Sequence, residues 1–143
     1  MKKLSFTLLF LIVSVLTYAQ TIIYEVLAEN ENSVMQAMSG HKFSFLYSGT
    51  SDYNMKFDTY SVTDKTYFTC YFNSEGKCCQ CLIVTPTSTL FENLEFLNKN
   101  FVTVDNTHWT DEKGTMKVHL YTDDPDRNVY CISYIVLSLV PHE

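Results

Sequence analysis

The sequence predicts an α+β fold, an antiparallel β-sheet meander packed by one main helix over residues 87–101. Within that stretch Leu90, Leu94, Leu97 and Phe101 recur at helical spacing, so one face is apolar and must be buried. On either side lie runs rich in β-branched and aromatic residues, broken at Asn73-Ser74-Glu75-Gly76 and at Asp111-Glu112-Lys113-Gly114, which is hairpin chemistry. The chain has 143 residues, 46% hydrophobic and 18% charged. That is enough for one core in one domain, and too apolar for a disordered chain.

Taken in order, residues 1–19 join Lys2 and Lys3 to an apolar run over 4–16 and then to Thr17-Tyr18-Ala19, with small residues at the −3 and −1 positions. This is the pattern of a secretory signal peptide, and its apolar run is shorter than the roughly 20 residues that span a bilayer. Residues 20–143 are therefore expected to be a single exported domain, periplasmic or secreted. Cleavage before Gln20 leaves no N-terminal cysteine for a lipid, so no membrane anchor is expected.

Residues 21–27 fit a strand or the start of a helix. Asn32 or Ser33 can cap a short second helix over 33–38 that Gly40 ends. Strands over 42–48 and 55–62 flank a turn at 49–54, and strands over 65–72 and 77–85 form the first strong hairpin. Gly76 suits the left-handed position after a type I turn, which sets Asn73 opposite Lys77, Phe72 opposite Cys78 and Cys70 opposite Gln80. Pro86 discourages helix just upstream of residue 87, and Thr89 with Glu92 has capping-box spacing. After the helix come strands over 101–110 and 115–121, the latter with Met116, Val118 and Leu120 on one face. Asp123-Asp124-Pro125-Asp126 breaks the chain before a last strand over 128–140. The order of helix, strands and Gly-closed hairpin occurs twice, as a degenerate duplication would leave it and as any α+β domain of this size can also produce it.

The stretch Tyr71-Phe72-Asn73-Ser74-Glu75-Gly76-Lys77-Cys78, the 86–101 helix ending Leu97-Asn98-Lys99-Asn100-Phe101, and Trp109 resemble small exported proteins of unknown function from Bacteroidetes, whose signal peptides commonly end in Ala-Gln. The resemblance covers roughly the C-terminal two thirds and implies an address and a fold style, not an activity. The helix-on-sheet order is also similar to cystatin-like and β-lactamase-inhibitor-like modules, a likeness of architecture alone.

With 10 basic against 16 acidic residues the net charge is −6, and loss of Lys2 and Lys3 makes the chain more acidic still. A broad basic footprint for nucleic acid is not available. Only 4 glycines and 3 prolines are present, so no Gly-rich phosphate loop occurs and no cofactor is expected.

Cys70, Cys78, Cys79, Cys81 and Cys131 all fall on expected strands of an exported chain, where disulfides form. The register above puts Cys70 and Cys78 on one face and Cys79 and Cys81 on the other, with Cys131 able to reach either. All five are disulfide candidates, and buried thiols are the alternative. Cys78-Cys79-x-Cys81 does not read as a zinc knuckle, because a regular strand sends these thiolates to opposite faces, and no metal site is expected. His41, His108, His119 and His142 are scattered without ligand spacing, His119 lying on the outward face with Lys117 and Tyr121. Asp123, Asp124 and Asp126 lack the glycine and glutamate of an EF-hand and read as an acidic turn.

No framed nucleophile such as Gly-x-Ser-x-Gly occurs, so the residues favour a non-catalytic binding module over a small exported enzyme or a structural envelope protein. Aromatic residues are 15% of the chain, with ten Tyr and ten Phe. Tyr47, Tyr53, Tyr60, Tyr67 and Tyr71 all fall in the sheet half and are the ligand-binding candidates, since tyrosine offers contact area with a polar tip. A protein or small molecule is the expected partner.

Overall fold

Two four-strand meanders join along one seam to make a single antiparallel sheet. The structure, a computed structural model, describes residues 20–122 and 124–141. The expected signal peptide, Asp123 and His142 lie outside these residues. The elements are helices α1 (Ile23–Val26) and α2 (Glu31–Gly40), strands β1 (Ser44–Thr50), β2 (Lys56–Ser61), β3 (Tyr67–Phe72) and β4 (Cys78–Pro86), helix α3 (Leu90–Asn100), then β5 (Val102–Thr103), β6 (His108–Thr110), β7 (Met116–Tyr121) and β8 (Val129–Val136). The sheet order is β1-β2-β3-β4-β8-β7-β6-β5. Helices α1 and α2 precede the first four strands and α3 precedes the last four, and β4 against β8 is the seam; the two Gly-closed hairpins fall at β3–β4 in one meander and β6–β7 in the other.

The helices share one face of the sheet. Ile23 and Val26 of α1, Val34 and Met38 of α2, and Leu97 of α3 form one core with Tyr60, Phe68, Phe72, Ile83, Val118, Ile132 and Tyr134 from the strands. Trp109 joins them from β6 and donates from its indole nitrogen to Asn98 Oδ1 at 2.9 Å. Along the same face a buried polar chain runs beneath α3: Thr66 to Thr85, Thr85 to Thr89, and Thr89 to the Tyr130 hydroxyl at 2.8 Å. Asn93 bonds Tyr130 and Gln20, and the Tyr134 hydroxyl donates to Gln20 Oε1 at 3.3 Å. Buried polar groups need such partners, and these tie α3 and the N-terminal segment to β8. Among the described residues no helix is long and apolar enough to cross a membrane.

Several local expectations change. The stretch 21–27 is helical at α1. The cap of α2 is Asn30, whose Oδ1 accepts from Ser33 N at 3.0 Å, so neither Asn32 nor Ser33 caps and the helix runs longer than 33–38. Thr89 and Glu92 do not form a capping box: Thr89 accepts no cap bond and instead donates to Pro86 O at 2.8 Å inside the polar chain. The expected strand over 101–110 is two short strands around a turn in which Asp105 Oδ1 accepts from Thr107 N. The last strand stops at Val136 rather than 140.

Both hairpin glycines take the left-handed conformation, Gly76 at φ 72° and Gly114 at φ 68°. At Gly76 the turn closes through Gly76 N to Asn73 O and Asn73 N to Lys77 O, each 2.9 Å. A Cβ there would meet nothing within 4 Å, so the whole cost of Gly76→Ala is backbone strain, expected at about 1 kcal/mol, against less than about 0.5 kcal/mol for exposed Ser74→Ala. Urea denaturation of both variants measures the difference.

Candidate functional site

Side chains alternate across a strand, so the face opposite the helices can be read from the pairing. One row crosses seven strands as Tyr47, Thr59, Thr69, Leu82, Ser133, His119 and His108. A neighbouring row runs Gly49, Phe57, Tyr71, Gln80, Ile135 and Lys117. None of these side chains belongs to the helix-side core, whose members sit on the intervening positions.

The β1–β4 half of this face is aromatic. Phe57 meets Tyr47 edge-on with centroids 6.2 Å apart and leans on Tyr71 at 5.5 Å. The Phe57 ring lies over Gly49, where a Cβ would fall 2.5 Å from it; glycine there lets the ring lie flat across the edge strand. These rings, with Tyr67, Leu82, Val84 and Val129, line an open groove of about 740 Å³. Among the described residues Arg127 is the one charged side chain lining it, and its Nε bonds Asp124 at 3.0 Å.

Of the five tyrosine candidates the structure brings three together, Tyr47, Tyr67 and Tyr71. Tyr53 is in the β1–β2 turn, 79% exposed and away from the groove lining. Tyr60 is on the opposite face, buried against Phe45 with centroids 5.8 Å apart; burial, then Asp58 and Cys70, push its ionisation well up. Phe57, Leu82, Val84 and Arg127 were missed. Alternation along 57–61 and 80–84 carried the signal for the strand residues, while nothing local marked Arg127, which reaches the groove from the turn before β8.

The cysteines also part company with expectation. Phe72 pairs with Cys78 as predicted, but the register then shifts, so Tyr71 pairs with Gln80 and Cys70 with Cys81. Cys79 is the extra residue of a β-bulge, which resets the parity of the strand. Cys81 therefore joins Cys70 and Cys78 on the helix side instead of pointing away from them. All three sulfurs lie within 4.8 Å of one another, with Cys78 Sγ and Cys81 Sγ 3.7 Å apart. Cys79 turns from this group to Met55 Sδ, 3.9 Å away. Cys131 pairs with Val84 and Tyr121, both on the groove face, so it cannot reach the cluster. Burial pushes the Cys70 and Cys81 thiols well up. Hydrogen bonds from Cys70 and Cys81 hold Cys78 down at about 5, whereas burial drives Cys79 to about 11.

On the β5–β8 half of the groove face the two imidazoles of His108 and His119 stack with centroids 4.1 Å apart, 8° from parallel. Asp105 Oδ1 holds His108 Nδ1 at 2.9 Å. Burial, then the charge of His108, lowers His119 from its usual 6.5, with Asp105 opposing. A depressed histidine binds fewer protons folded than unfolded, so its contribution to stability is intact above pH 6.5 and declines as pH falls below it. His119→Gln is expected to flatten the stability curve in that window, as read by urea midpoints at stepped pH. Asp124 caps the turn before β8 by accepting from Asp126 N at 3.1 Å, as an acidic turn should. No protein-family model matches the chain, and no curated protein or solved structure matches it.

Proposed function

We propose that the chain is exported and works as a non-catalytic binding module, with the helix-free face of its sheet as the docking surface for a protein partner. The observation that carries this reading is that face itself: a sheet covered on one side only, with Tyr47, Phe57, Tyr67 and Tyr71 packed across its uncovered half. The contiguous strands β1, β2, β3, β4, β8 and β7, each of six residues or more, make it about 24 Å wide and about 20 Å long. An open sheet face of that size fits a macromolecule better than a small ligand, which seeks an enclosed pocket. Arg127 at the groove of an acidic chain favours a partner that offers a carboxylate among apolar side chains. The exported address rests on the pattern of residues 1–19.

A photo-crosslinking residue placed at Tyr67 or Val84, and separately at Phe91 on the exposed side of α3, tests the reading in the native host. Crosslinks to one protein from the two sheet positions, absent at Phe91 and weakened tenfold or more by Tyr47→Ala, are expected, since aromatic anchors dominate interfaces. Equal capture from Phe91 would overturn it.

A further inference from the structure

We infer that Cys70, Cys78 and Cys81 form a binding site for a soft monovalent metal ion, with Cu(I) bound by three sulfurs. The argument starts from geometry. An ion about 2.3 Å from each of three thiolates in a plane holds the sulfurs about 4.0 Å apart; here Cys78 and Cys81 are 3.7 Å apart and all three lie within 4.8 Å. A disulfide would instead need about 2.05 Å, and Cys70, Cys78 and Cys81 are all thiols.

The donor set chooses the class of ion. Among the described residues no imidazole or carboxylate joins the three sulfurs, which favours a thiophilic ion over magnesium or calcium. Zinc in a closed site wants four ligands, and three buried sulfurs leave that demand unmet. Binding sends the protons of the ligating thiols to solvent, and no atom changes oxidation state.

The surroundings make binding part of folding. Ala28 N donates to Cys78 O and Cys78 N donates to Glu29 O, both at 2.8 Å, so the link between α1 and α2 is laid across the backbone of the central ligand. Ala28 sits at φ 68°, a left-handed conformation uncommon for alanine. An ion held through Cys78 stabilises the folded state that carries this link.

The test uses purified reduced protein under anaerobic conditions with Cu(I) as the probe and a competing chelator. One Cu(I) per chain, a raised thermal midpoint and three sulfur scatterers by X-ray absorption are expected for the unaltered protein. Cys70→Ser, Cys78→Ser and Cys81→Ser should each weaken retention by more than about 100-fold, while Cys79→Ser and Cys131→Ser retain it. Circular dichroism of the metal-free variants separates loss of a ligand from loss of the fold. No uptake by the unaltered protein, retention of Zn²⁺ in preference to Cu(I), equal retention by Cys78→Ser, or a mass two hydrogens lighter from a disulfide within the trio would each overturn the assignment.

Discussion

Trp109→Ala is expected to destabilise the protein by about 3–5 kcal/mol, the range for deleting a large buried aromatic side chain. Trp109 is 2% exposed and sits on β6, a strand of three residues between β7 and the two-residue edge strand β5. Strands that short have few ladder bonds, so their attachment depends on what their side chains bury. The indole fills the space between β7 and the end of α3, and its N–H holds Asn98 there. Trp109→Phe keeps an aromatic ring and should cost much less, because Asn98 is exposed and can bond water instead. Guanidinium denaturation of the two variants decides the matter; a loss under about 1 kcal/mol for the alanine would mean that the ring is not core.

Leu97→Ala is expected to cost about 2–5 kcal/mol, and Glu95→Ala less than about 0.5 kcal/mol. Leu97 is fully buried on the α3 face that also carries Asn93, whereas Leu90 and Leu94 lie at the flank of the core, half-buried. Leu94→Ala should therefore fall between the two. Equal small effects at 94, 95 and 97 would detach α3 from the core. Asn93 explains why the buried face is narrower than the leucine spacing implies: its amide links Tyr130 to Gln20, and a polar position occupies the centre of an apolar stripe.

How far the site was legible follows from the same physics. The hairpin at Gly76 was readable because glycine alone takes a left-handed residue without strain, and that turn correctly placed Phe72 opposite Cys78. Two residues further on the reading failed, because a bulge at Cys79 is a tertiary choice with no local marker, and it moved Cys81 to the other face. The tyrosines show the same limit. Tyr47, Tyr67 and Tyr71 share a face, but Tyr60 is on the helix side, since membership of a face depends on register and the β1–β2 turn at 51–55 contains no signal that sets it.

What the sequence by itself determined is the inventory of elements and their order. Period 3.6 in Leu90, Leu94, Leu97 and Phe101, period 2 in Met116, Val118 and Leu120, and glycines at 76 and 114 are local properties, so they fix helices, strands and turns before any long-range contact exists. The tertiary structure decided which strands neighbour one another, with β8 returning to β4 to form the seam and the helices gathering on one face. It thereby left an aromatic face uncovered and brought three thiols into one cluster. Those outcomes join residues as far apart as Tyr47 and His119, or Cys70 and Cys81 across a bulge, and the pairing energies that select them are shared over the whole sheet rather than written into any one segment.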